Sequence, residues 1–145
     1  MTAKTWYITG TSSGLGHILT EKLLRRGDRV FATVRRAGPL DTLQQEFGEQ
    51  LTVDHLDVSE DGAARQSLDR AFDRFGHIDV VVSNAGYGLY GAAEEVTGAQ
   101  IRHQIDTNLI GSIDVIRAAL PHLREQGGGR IVQISSGGGQ VTLPN

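Results

Sequence analysis

The chain has 145 residues, 39% of them hydrophobic and 21% charged, with a formal net charge of −3 and no cysteine. That is the composition of one globular domain, residues 1–145, large enough to bury a sizeable core. The charge balance offers no footprint for nucleic acid or an anionic membrane, and the lack of cysteine excludes disulfides and thiolate metal sites. With Met1 running almost directly into an apolar stretch and no run of bilayer length, neither a signal peptide nor a membrane span is expected, which points to a cytoplasmic protein.

Residues 6–9 form the first short apolar run, and Thr9-Gly10-Thr11-Ser12-Ser13-Gly14-Leu15-Gly16 follows it. A strand that turns through glycines into a helix builds an anion site. The first backbone N–H groups of the helix have no partner, and the helix dipole adds partial positive charge there. Glycine lets a diphosphate approach the backbone and allows positive φ. The spacing is G-x-x-x-G-x-G rather than G-x-G-x-x-G, and taken alone it fits a plain tight turn equally well. Leu15, Ile18, Leu19 and Leu23 then fall on one helical face, with Gly27 as the stop.

The second run, residues 29–34, leads into Arg35 and Arg36. In a dinucleotide-binding fold a carboxylate near this turn accepts from the ribose hydroxyls, whereas a guanidinium suits a 2′-phosphate. One such charge-assisted contact is worth roughly 1.5–3 kcal/mol, about ten- to a hundredfold in affinity. A solvated surface arginine is the alternative reading. Residues 39–47 make a shorter helix, and 51–55 the third run.

After the third run, the Asp57 carboxylate can accept from an adenine amino group while Val58 packs on the ring; a turn or capping aspartate fits the same position. Ser59 is placed to cap a helix whose stripe is Ala64, Leu68, Ala71, Phe72 and Phe75, ended by Gly76. The fourth run, 78–83, opens into Asn84-Ala85-Gly86-Tyr87-Gly88. Small residues there bring backbone close to a ligand, and Asn84 can stitch neighbouring loops.

Thr97-Gly98-Ala99-Gln100 reads as a capping box at the head of a long helix. Ile101, Ile105, Leu109, Ile113, Ile116, Leu120 and Leu123 repeat along it, Pro121 should kink it or start a new segment, and Gly127 to Gly129 end it. Asn108 is a poor helix-interior residue beside that stripe, and a partly buried side chain there must be hydrogen-bonded; a structural bridging role and a functional one fit it equally. The fifth run, 130–135, ends at Ser135 and Ser136, whose hydroxyls can face a substrate carbonyl, and residues 137–145 read as an active-site loop. The five histidines have no metal-ligand spacing.

Short apolar runs alternating with helices imply right-handed crossovers and a doubly wound parallel α/β sheet, Rossmann-like, in the order 3-2-1-4-5. The ligand crevice is expected at the C-terminal strand ends, where that order reverses.

Taken together, Thr9-Gly10-x-x-x-Gly14-x-Gly16, Asp57-Val58, Asn84-Ala85-Gly86, Asn108 and Gly129-Arg130-Ile131-Val132-x-Ile134-Ser135-Ser136 resemble the short-chain dehydrogenase/reductase family, in order, through nearly the whole chain. Ser83 departs from the asparagine many members carry there. The resemblance implies hydride transfer between NADP(H), with NAD(H) possible, and a small-molecule carbonyl or alcohol, in a homo-dimer or homo-tetramer. It assigns Gly10, Ser12, Ser13, Gly14, Leu15 and Gly16 to the diphosphate and ribose, Arg35 with Arg36 to the 2′-phosphate, and Asp57 and Val58 to adenine. Asn84, Ala85 and Gly86 line the ribose–nicotinamide side, Ser136 orients the carbonyl, and Asn108 stands behind the proton relay.

The family's Tyr-x-x-x-Lys motif and last strands would follow beyond Asn145, and Tyr7, Tyr87 and Tyr90 do not match the motif. The expectation is therefore the cofactor-binding portion of a longer enzyme. A non-catalytic dinucleotide-binding module and an inert fragment are the rivals. Carbonyl-dependent NADPH oxidation and the cooperativity of thermal melting separate them.

Overall fold

The five short apolar runs become five parallel strands, β1 (Thr5–Ile8), β2 (Arg29–Val34), β3 (Leu51–His55), β4 (Val80–Ser83) and β5 (Arg130–Gln133). They are well covered at β1, β2 and β4 and largely exposed at the edge strand β5. The structure, a computed structural model, describes residues 2–140, so the end of the predicted loop, Val141 to Asn145, lies outside the described residues. The sheet order is β3-β2-β1-β4-β5, as the alternation of runs and helices predicts. Tyr7 sits opposite Phe31 on one side and Val81 on the other. β2 and β3 coincide with the expected runs, while β1, β4 and β5 differ by one to two residues at an end, because ladder hydrogen bonds rather than apolarity define strand ends.

The helices are α1 (Gly14–Arg25), α2 (Asp41–Phe47), α3 (Ala63–Phe75), α4 (Gly98–Ile105) and α5 (Gly111–Glu125); α4 buries no residue, and the others pack on the two faces of the sheet. Strand alternation splits the core in two. Tyr7, Phe31 and Val81 face α3 and α5 with Leu68, Val115 and Leu123. Ile8, Val30 and Val82 face the other way, with Leu23, Leu24, Leu40 and Leu43. The α3 stripe is as expected, with Ala64, Leu68 and Ala71 buried and Phe72 and Phe75 packed at its margin.

Two helix faces are corrected. In α1, Leu15 is 69% exposed and Ile18 50%, while Gly16, Thr20, Leu23 and Leu24 are buried. The helix starts so close to the loops after β1 and β4 that small residues must face inward, and the Thr20 hydroxyl turns back onto the Gly16 carbonyl at 2.8 Å. In the long helical segment, Ile101, Ile105, Leu109 and Ile113 are 42–54% exposed, and the buried face is Thr107, Gly111, Ser112, Val115, Ala119 and Leu123. Gly111 explains the rotation: a Cβ there would lie 2.8 Å from Cγ2 of Val58.

The interruption of that segment is also misplaced in the sequence reading. α5 runs through Pro121 without a break. The irregular turn is π-helical, Asp106–Ile110, and it holds Asn108. Ser59 does not cap α3; Gly62 stands at that position. The Thr97–Gln100 capping box is formed at the head of α4 as predicted.

Candidate functional site

At the C-terminal ends of the strands, where β1 separates crossovers to opposite sides, a cleft of about 1030 Å³ opens. Its floor is the strand-to-helix loop after β1. Thr9 is fully buried, and its Oγ1 accepts the Asn84 and Ala85 amides, each at 3.0 Å. Asn84 answers with its side-chain amide, donating to the carbonyls of Thr9 at 2.9 Å and Gly10 at 3.1 Å. The expected stitching of loops by Asn84 is present, and the two strand ends form one rigid plate.

Gly10 has φ +70°, and a Cβ on it would lie 2.8 Å from the Ala85 Cα. Gly16 is equally constrained, since a Cβ would be driven into the Gly10 carbonyl and to 2.6 Å from Asn84 Nδ2. These glycines bring the start of α1 down onto the plate. Ser13 at the N-cap makes no side-chain cap bond. The first-turn N–H groups of this twelve-residue helix are therefore left to a ligand.

The predicted residues distribute as follows. Gly10, Ser12, Ser13, Gly14, Leu15, Arg35, Val58, Asn84, Ala85, Gly86, Asn108 and Ser136 all line the cleft. Gly16 supports it from below. Arg36 is exposed outside the lining, and Asp57 is also outside it. The Asp57 carboxylate takes the Ser59 amide at 2.9 Å and its hydroxyl at 2.7 Å, which is the turn-aspartate arrangement. Burial opposes ionisation of Asp57, but the two Ser59 hydrogen bonds and the charges of Arg35 and His103 hold its carboxyl below the usual range. Val58 turns its side chain under Gly111 and presents only part of itself to the cleft.

Asn108 is exposed, yet its side chain is committed at both ends. Its Oδ1 accepts the Tyr87 amide at 3.1 Å and its Nδ2 donates to the Tyr87 carbonyl at 2.7 Å. Its own carbonyl accepts the Ser112 hydroxyl at 2.9 Å. The π-helical turn thus pins the loop after β4, a location where such turns are frequent. Asn108→Ala should release that loop: amide exchange at Tyr87 is expected to accelerate roughly tenfold, the equivalent of about one hydrogen bond. Unchanged protection at Tyr87 would contradict the bracket.

Ser136 accepts the Gly138 amide at 3.1 Å, which leaves its hydroxyl hydrogen free to donate. Tyr7 is not a site residue: it is buried in the core, its hydroxyl donates to Ser67 at 2.9 Å, and burial pushes its phenol well above the usual range. The sequence places Thr9 at the head of the glycine motif without giving it a role, and Thr107 was missed. Thr107 is buried in the cleft lining, and its Oγ1 has no partner among the described residues. An alternation count could not find either, because both look like ordinary β-branched packing residues. Among the described residues no group of three or more His, Asp or Glu could hold a metal, and no helix is long and apolar enough to cross a membrane.

Comparison with known proteins identifies the family and the fold. The profile described as short chain dehydrogenase matches residues 4–145. Oxidoreductase BOA17 of Botryotinia fuckeliana is 40% identical over 142 residues, which covers 97% of this chain and 52% of that protein. A short-chain dehydrogenase from Streptomyces avermitilis superposes with a TM-score of 0.91 at 37% identity, covering 97% of this chain and 52% of that one. ElxO, solved with NADP bound, gives a TM-score of 0.89 at 27% identity, over 99% of this chain and 59% of that one. The chain spans about half the length of the curated relatives it matches.

Proposed function

The chain belongs to the short chain dehydrogenase family, and from that premise we propose that it is the coenzyme-binding portion of an oxidoreductase interconverting a small carbonyl compound and its alcohol with NADP(H). The observation that carries the reading is the glycine plate: α1 is held against Gly10 and Asn84 so tightly that only Gly16 fits, with unpartnered N–H groups at its start. NADP bound to ElxO, a protein of the same fold, supports the choice of ligand.

The residues fit that coenzyme. The start of α1 and Ser12 and Ser13 would hold the diphosphate. Arg35, on the cleft wall, would grip a 2′-phosphate, with Arg36 assisting from outside. Asp57 and Val58 would bound the adenine, and Asn84, Ala85 and Gly86 would line the ribose–nicotinamide side. When bound, the coenzyme supplies or accepts the hydride. Ser136, with its hydrogen free, would donate to the substrate oxygen, and Asn108 would keep the Tyr87 loop in place beside it.

Arg35→Ala is the direct test. Titration with each coenzyme should show NADPH affinity falling roughly ten- to a hundredfold while NADH affinity stays within twofold. Equal losses for both would refute the assignment of Arg35.

A further inference from the structure

We propose that His55 is a specificity-determining positioning residue, which holds the turn carrying Arg35 and so tunes recognition of a phosphorylated ribose. The inference rests on the NADP(H) reading above and deepens it.

Strands β2 and β3 pair in parallel, with Val34 opposite His55 as the last registered pair. The ladder finishes with the Leu56 amide donating to the Val34 carbonyl at 3.0 Å. Beyond it the chain enters the turn at Arg35, and among the described residues no backbone–backbone bond of sheet or turn reaches residues 35–37. The next such bond is Asp41 N–H to the Gly38 carbonyl at 3.1 Å. The hold on this stretch comes from a side chain: Nε2 of His55 lies 2.7 Å from the Arg35 carbonyl oxygen. A carbonyl only accepts, so Nε2 carries the hydrogen and the ring donates. Both the Nε2–H tautomer and the imidazolium do this, so the contact does not depend on charge.

The placement matters because two negative groups would compete for Arg35. A dianionic 2′-phosphate in the cleft is one. The other is Asp57, at the end of the neighbouring strand, whose charge already feels Arg35. His55 holds the Arg35 peptide where Arg35 is part of the cleft lining. With the peptide loose, the arginine pays conformational entropy to return each time a phosphate binds. His55 is exposed and outside both apolar cores, so its removal should leave the fold intact.

The experiment compares the chain with its His55→Ala, His55→Phe and His55→Gln variants, titrated with NADPH, NADH, adenosine 2′,5′-bisphosphate and ADP. Alanine and phenylalanine should both weaken NADPH and the 2′,5′-bisphosphate roughly three- to tenfold, the equivalent of one modest hydrogen bond. NADH and ADP should be unchanged, and glutamine, which keeps a side-chain N–H, should restore most of the loss. Phenylalanine keeps the ring without the donor, so wild-type behaviour in that variant overturns the proposal. Equal weakening of all four ligands also overturns it, since that is a general structural effect. If the three variants leave the preference intact while Arg35→Ala abolishes it, His55 is refuted and the coenzyme reading stands. If the parent chain itself does not distinguish phosphorylated from plain nucleotides, the coenzyme reading fails and takes the proposal with it.

Discussion

Replacing Gly16 by alanine is expected to lower stability by about 1–3 kcal/mol and coenzyme affinity at least tenfold. The added methyl group would run into the Gly10 carbonyl and stand 2.6 Å from Asn84 Nδ2. Neither neighbour is the free end of a flexible side chain. The Gly10 carbonyl belongs to the turn itself, and Asn84 is held by two acceptors on β1. Relief requires α1 to lift off the plate, which carries its first-turn N–H groups away from a bound diphosphate and breaks the Asn84 bridge. A charge-assisted hydrogen bond lost in this way is worth roughly 1.5–3 kcal/mol. Thermal melting and coenzyme titration of the same variant check both parts, and binding at parental strength would rule out the cradle. Helix propensity alone favours alanine over glycine, so a stabilised variant would likewise contradict the packing argument.

Thr9→Val should be costly for a different reason, about 2–4 kcal/mol, or roughly 10 °C in melting temperature. Valine matches threonine in shape, so no cavity forms at this fully buried position. What disappears is one oxygen that accepts two amides, those of Asn84 and Ala85. Each donor left unsatisfied costs about 1–3 kcal/mol, more than the bond itself contributes. Thr9→Ser retains the oxygen and should recover most of the stability. A valine variant that melts with the parent would show that the hydroxyl bridge contributes nothing.

The strand order was legible because five short runs separated by helices leave few topologies open to a parallel sheet. The strand-end residues were legible for a related reason: in such a sheet the loops at one end form the crevice, so Gly10, Asn84 and Ser136 had to meet. Helix faces were not. Counting apolar residues put Leu15, Ile18, Ile101 and Ile105 inward, but close approach was decided by Gly16 and Gly111, and small residues carry little weight in a periodicity count. Proline drew attention to position 121, yet the helix passes it and deviates at Asp106–Ile110, where an extra residue per turn leaves no compositional mark. Asp57 was readable only as one of two alternatives, and the structure shows its carboxylate on Ser59.

The widened turn at Asp106–Ile110 acts as a gear between α4 and α5. Each residue in a helix advances it by about 100°. The number of residues in this turn therefore sets the rotational phase of α4 against α5. A single deletion would swing the Thr97–Gln100 cap and the hydrophobic ridge of Ile101 and Ile105 a quarter-turn or more around the axis. This part of the molecule has to preserve its length as strictly as it preserves the amide of Asn108.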